Sequence, residues 1–107
     1  HIGFVEIVPT IDEFKSIISS FTAEPQSLHL PSAPKIPIIV LNEIDRPQPK
    51  LDRDLGNGMT VTVGRITDET FFNIRFIGLS HNTVRGAAGG AILMAELLAQ
   101  KGFIHVE

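Results

Sequence analysis

The sequence predicts an α/β domain: a mixed, largely antiparallel sheet covered by one helix, with a second helix near the end of the chain. Three observations carry that expectation. Met59–Ile66 and Phe71–Ile77 each alternate at period two, as half-buried strands do. Behind Thr10-Ile11-Asp12-Glu13, the apolar residues Ile11, Phe14, Ile17, Ile18 and Phe21 fall on one stripe at helical period. From Thr83 to Lys101 strong helix formers, among them Leu93, Met94, Ala95, Glu96, Leu97 and Leu98, run up to Gly102, where a terminating glycine belongs.

Taken in order, His1–Val8 is rich in Ile, Val and Phe and predicts a strand, closed by Pro9-Thr10. Thr10 and Glu13 have the spacing of a capping box, in which the Thr10 hydroxyl accepts from the Glu13 amide and the Glu13 carboxylate from the Thr10 amide. The helix behind it puts Asp12, Lys15, Ser16, Ser19 and Ser20 away from the apolar stripe, so it lies on a sheet. Thr22–Lys35 holds Pro25, Pro31 and Pro34 and reads as an irregular connection with extended segments. Ile36–Leu41 reads as a short strand whose Pro37 places it at an edge or at a strand start. Between Asn42 and Asn57 lie Pro47, Pro49, Gly56 and alternating charges. This arm is too long and too polar for a hairpin, and any one pair among Arg46, Lys50, Asp52, Arg53 and Asp54 reads as solvated and weak. Met59–Ile66 and Phe71–Ile77 form an antiparallel hairpin with its turn at Thr67–Thr70. One face carries Phe72, Ile74 and Phe76; the other, with Asn73 and Arg75, is wet or meets a second subunit.

The 107 residues suffice for one small domain, whose limited core makes a partner's support valuable. A net charge of −3 with both signs interspersed offers no footprint for nucleic acid or an anionic membrane. No apolar run approaches the ~20 residues of a membrane span. The expectation is a soluble, cytoplasmic protein. Without cysteine the chain has no disulfide, no thiolate ligand and no thiol nucleophile of its own. His29 and His105 lack metal-ligand spacing, so no metal is expected. Because the chain opens without Met inside a strand-like stretch, it reads as the C-terminal piece of a longer polypeptide.

The glycines of the last helix are the most informative feature. Each costs ~1 kcal/mol relative to Ala inside a helix, yet Gly86, Gly89 and Gly90 fall within five residues. Gly86 and Gly90, like Ala87 and Ala91, stand four apart, leaving a bare stripe that admits a cofactor, a loop or another helix. The run is not the G-x-G-x-x-G fingerprint, which needs a strand before it. Asn82 has two roles open to it: helix N-cap, or a carboxamide that pairs with a complementary ligand. His81 beside it reads as a packed or solvent-bridged residue, and neither Ser32 nor Thr83 has the partners of a hydrolase triad.

The stretch Leu79–Leu93 resembles the C-terminal helix of aspartate-semialdehyde dehydrogenases, in particular their fungal and archaeal branch. The resemblance extends through Leu30–Lys35, Asp45–Asp54 and Gly58–Arg65, covering most of Leu30–Phe103. It implies an α+β-like dimerisation domain of the glyceraldehyde-3-phosphate-dehydrogenase-like kind over residues 1–80. Residues 81–107 are then a final helix returning to a dinucleotide-binding domain upstream of this chain. It further implies NADP as cofactor, aspartate semialdehyde and phosphate as small-molecule partners, and a homodimer or homotetramer. In that family a cysteine thiolate attacks the aldehyde, a His takes the proton as hydride leaves to NADP, and phosphate splits the thioacyl enzyme to give β-aspartyl phosphate. The biosynthetic direction, toward lysine, threonine and methionine, is the reverse. Carried onto this sequence, the resemblance makes His1 the general acid/base, with Asn82 at the nicotinamide and Thr83 and Gly86 beside it at the cofactor. The chain alone, lacking the thiol, the fingerprint and a carboxylate-binding Arg, is expected to be inactive. Two alternatives stand beside this one: a malonyl-CoA or succinyl-CoA reductase of the same superfamily, and a non-catalytic oligomerisation module.

Overall fold

The computed structural model describes residues 8–105. His1 and the strand expected before Val8 lie outside the described residues. The capping box forms as the sequence requires: the Glu13 amide donates to Thr10 Oγ1 at 3.2 Å and the Thr10 amide to Glu13 Oε2 at 2.8 Å. Behind it α1 spans Ile11–Ser19. It lies against the sheet, with the Phe14 ring 5.3 Å from that of Phe76. The rest of its stripe is only partly covered, since Ile17 stays 60% and Phe21 50% exposed.

The connection after α1 is more ordered than its prolines suggest. A single helical turn, α2 (Glu24–Ser27), starts with Pro25 in its first turn, where a missing amide hydrogen costs nothing. Gln26 ties it down by accepting from the Ala23 amide at 3.0 Å and donating to the Pro34 carbonyl at 3.1 Å. A strand, β1, spans Ile38–Val40, directly after Pro37. The arm likewise contains a helical turn, α3 (Pro49–Asp52), opened by its proline.

Two longer strands complete a mixed sheet of order β1-β2-β3, with β2 at Val61–Glu69 and β3 at Asn73–Leu79. β1 runs parallel to β2, Ile38 opposite Val61, and β3 antiparallel to it, Thr62 opposite Leu79 and Glu69 opposite Asn73. The expected turn at Thr67–Thr70 is displaced. Pairing shifts between Gly64 opposite Ile77 and Thr67 opposite Arg75, so β2 takes one more residue than β3, and Arg65 at φ +50° occupies the bulge. The extra residue keeps Thr67–Glu69 in the ladder and moves the reversal to Thr70–Phe72. Phe72 consequently sits in the turn, 53% exposed, and not on a strand face with Ile74 and Phe76.

Gly64 marks where the arm crosses β2: a Cβ there would collide with the Arg46 carbonyl oxygen and stand 2.9 Å from Pro47 Cδ. The arm is held in that crossing by an ion pair that the alternating charges concealed. Asp52 is buried and accepts from Arg46 Nε at 2.8 Å, from Arg46 Nη2, and from the Gln48 amide at 2.6 Å. The pair is thus a forked, charge-assisted contact with its carboxylate out of water, not a solvated surface pair. The buried cluster of the described residues lies apart from α1. It comprises Leu30, Met59 and Leu93, flanked by Leu28, Ala33, Val84 and Leu97, and joins the first connection, the end of the arm and the last helix.

Hydrogen bonding from Arg46, followed by that of the Gln48 amide, holds the Asp52 carboxyl below the usual carboxylate range against the opposing effect of burial. A carboxylate whose folded value is depressed stabilises the fold above its unfolded value, and the stabilisation disappears as pH falls through the folded one. Unfolding midpoints in urea, measured on the full-length protein, are expected to be higher for the wild type than for Arg46→Ala near neutral pH, and the gap to narrow as pH falls through the folded value of Asp52. Coincident acid profiles would show that the pair does not hold the arm.

Candidate functional site

Where the sequence predicts one helix from Thr83 to Lys101, the structure has two pieces. A π-helical turn spans Val84–Ala88, and α4 spans Gly89–Gln100. Amides in the turn reach back five residues, Gly86 to the His81 carbonyl at 3.0 Å and Ala88 to the Thr83 carbonyl at 3.3 Å, while Ala87 leaves helical geometry altogether at φ −144°, ψ −107°. Such widened turns recur at functional positions. Their glycines divide by neighbour. A Cβ on Gly89 would stand 2.5 Å from Met59 Sδ and 2.9 Å from the Val84 carbonyl oxygen, and one on Gly90 would stand 2.6 Å from the Arg85 carbonyl oxygen. Those two are consumed by packing inside the chain. Gly86 is different: a Cβ there would meet only Asn82 Oδ1 and the His81 carbonyl oxygen, both at 3.7 Å.

The turn is anchored on three sides. Val84 rests against Gly58, Gly89 against Met59, and Leu93 joins Leu30 and Met59 in the core. One turn further along α4, Glu96 accepts from the Ser32 amide at 2.9 Å and from the Ser32 hydroxyl at 2.7 Å. Lys101 meets Glu24 at 2.8 Å and ties the end of α4 to α2. The arm and the first connection therefore form a cradle for the start of the last helix.

Of the residues singled out in the sequence, Asn82, Thr83 and Gly86 share this turn and are exposed. His1 lies outside the described residues. Asn82 does not stand at the N-cap, which is Thr83 and makes no side-chain capping bond; the Val84 amide is met instead by His81, whose Nδ1 accepts from it at 3.3 Å. Its Nε2 faces Asp54 Oδ1 at 3.6 Å, and the Thr83 hydroxyl lies 3.4 Å from Nδ1. Among the described residues the Asn82 carboxamide makes no hydrogen bond, so one acceptor and two donors stand in the open beside the bare backbone of Gly86. That pairing fits a planar carboxamide ligand. Sequence reasoning missed His81 and Asp54. The only available signal was the spacing of His81 three residues before Val84, which a cap shares but which His seldom fills.

The chain matches the family model described as the semialdehyde dehydrogenase dimerisation domain over residues 4–85. An aspartate-semialdehyde dehydrogenase of Aspergillus fumigatus is 45% identical over 97% of this chain and 31% of its own length. A malonyl CoA reductase (NADP) of Metallosphaera sedula is 55% identical over 81% of the chain and 25% of its own length. The crystal structure of aspartate semialdehyde dehydrogenase with NADP from Candida albicans superposes with a TM-score of 0.83 at 41% identity, covering 94% of this chain and 28% of that one. The chain thus spans less than a third of the length of the relatives it matches.

The division among the glycines is open to mutation in the full-length protein. Gly89→Ala is expected to destabilise by roughly 1–3 kcal/mol, the cost of overpacking against a fixed neighbour. Gly86→Ala, exposed and without a clash, is expected to leave stability unchanged or to raise it by up to ~1 kcal/mol. Denaturant midpoints check both, and equal losses at the two positions would contradict the division.

Proposed function

The chain belongs to the semialdehyde dehydrogenase family, and on that premise we propose that it is the C-terminal portion of an NADP-dependent aspartate-semialdehyde dehydrogenase. The reading assigns residues 1–80 to the dimerisation domain and residues 81–107 to the helix that returns to the dinucleotide-binding domain. The observation that carries it is the free Asn82 carboxamide set beside the uncovered backbone of Gly86. The nicotinamide carboxamide offers the complementary donors and acceptor, and a glycine lets its ring approach the main chain closely. Asn82 orients that end of the cofactor and Gly86 gives it room. Thr83, next along the exposed turn, presents a hydroxyl at the rim. Bound NADP supplies hydride acceptance. His1 holds and releases the proton of the substrate oxygen, a task suited to imidazole near neutrality. With no cysteine in the chain, the nucleophile comes from elsewhere in the polypeptide. Aspartate semialdehyde and phosphate are the substrates in the oxidising direction.

Self-association is part of the same reading. Phe71 and Phe72 at the hairpin end are 84% and 53% exposed, and Ile77, on the face of β3 opposite Phe76, is also open, leaving apolar surface that suits a second subunit. We assign the protein as a homodimer or a tetramer built from such dimers. Among the described residues no helix is long and apolar enough to cross a membrane.

The Metallosphaera sedula relative, at 55% identity, favours a second reading, reduction of a CoA thioester by the same thioacyl chemistry. The full-length protein is expected to reduce NADP with aspartate semialdehyde and phosphate; turnover of malonyl-CoA and none of the semialdehyde would install the second reading. Asn82→Ala in that protein is expected to weaken NADP binding about tenfold, the worth of a lost hydrogen bond that leaves its partner unpaired. Unchanged affinity and rate would remove Asn82 from the cofactor site.

A further inference from the structure

An exposed Asn just before a helix entrance normally turns onto the backbone, because the first amides of a helix have no partners within it. Here that demand is met from the preceding residue. We propose that His81 is the positioning residue of the cofactor-facing turn: its Nδ1 caps the Val84 amide in place of Asn82, which leaves the Asn82 carboxamide free for the nicotinamide. This deepens the functional reading given above and rests on it.

Three features of the geometry support the assignment. The His81 Nδ1 to Val84 amide contact, 3.3 Å, requires a lone pair on Nδ1 and therefore the tautomer protonated at Nε2. The Asp54 carboxylate stands 3.6 Å from Nε2, on the side where that tautomer carries its proton, while Arg53 meets its other oxygen at 3.5 Å. The side chain of His81 is only 20% exposed, so the ring is held in place, and the adjacent Asn82 is exposed beside Gly86 on a backbone that is also bonded through the His81 carbonyl to the Gly86 amide at 3.0 Å. Asp54 belongs to the arm, so the arm acts on the cofactor-facing turn through this imidazole.

His81→Asn and His81→Ala are expected to behave differently. An Asn oxygen reproduces the acceptor of Nδ1, as it does at ordinary N-caps, whereas Ala offers none. In the full-length protein, hydrogen–deuterium exchange of the segment containing Val84 is expected to accelerate about fivefold in His81→Ala and to stay near wild type in His81→Asn. The value of kcat/KM for NADP is expected to fall about fivefold in His81→Ala and to recover in His81→Asn. Because His81 acts through Asn82, adding His81→Ala to Asn82→Ala is expected to cost nothing further in kcat/KM. Additive losses would show that His81 reaches the cofactor by another route and overturn the proposal, as would unaltered exchange in His81→Ala. A full-length protein that fails to bind NADP would defeat the functional reading itself, a result distinct from normal NADP use that is indifferent to His81.

Discussion

The buried contact between Arg46 and Asp52 holds the arm on which the last helix is seated. It closes the arm over β2, with the Arg46 carbonyl against Gly64, and the Gln48 amide bonded to the same carboxylate starts α3. The chain then coils tightly enough, with the Gly58 amide donating to the Asp54 carbonyl at 3.2 Å and the Thr60 amide to the Leu55 carbonyl at 3.3 Å, to present Gly58 and Met59 as a seat. Val84 and Gly89 occupy that seat. A charge removed from water is costly unless paired and hydrogen-bonded, and satisfying Asp52 fixes the arm in one arrangement.

The seat explains why helical geometry fails at the entrance to the last helix. Val84 must lie against Gly58 while Gly89 lies against Met59, and the widened turn between them accommodates both contacts. The helix beyond it is held at separate points, by Leu93 in the core, by Glu96 on Ser32 and by Lys101 on Glu24. A stretch rich in small residues is thereby kept in a defined place with its outer side uncovered. The proposed cofactor contact rests on that combination of fixed backbone and absent side chains.

Much of this was legible in the residues, and the failures have physical causes. Thr10 and Glu13 announced α1 because a capping box is settled within four residues. The strands of the hairpin were visible as alternation, but their turn was not placed, since the bulge at Arg65 adds a residue that no period-two pattern contains. Asp52 looked solvated because its partner lies six positions back across Pro47 and Pro49, a spacing that matches neither helix nor strand. The glycines correctly signalled close approach, yet two of the three serve Met59 and Arg85 within the chain, and only Gly86 faces outward. Residue preference favoured Asn82 over His81 for the capping role; in the structure it is His81, with Asp54 of the arm 3.6 Å from its other nitrogen, that meets the Val84 amide.

The central claim is that the turn after His81 presents Asn82 and Gly86 to the nicotinamide end of NADP. A crystal structure of the full-length protein with NADP bound tests it most directly. The expected result places the Asn82 carboxamide within hydrogen-bonding distance of the nicotinamide carboxamide, with His81 Nδ1 still on the Val84 amide. An Asn82 side chain folded back onto its own helix entrance, with the nicotinamide bound elsewhere, would contradict the account.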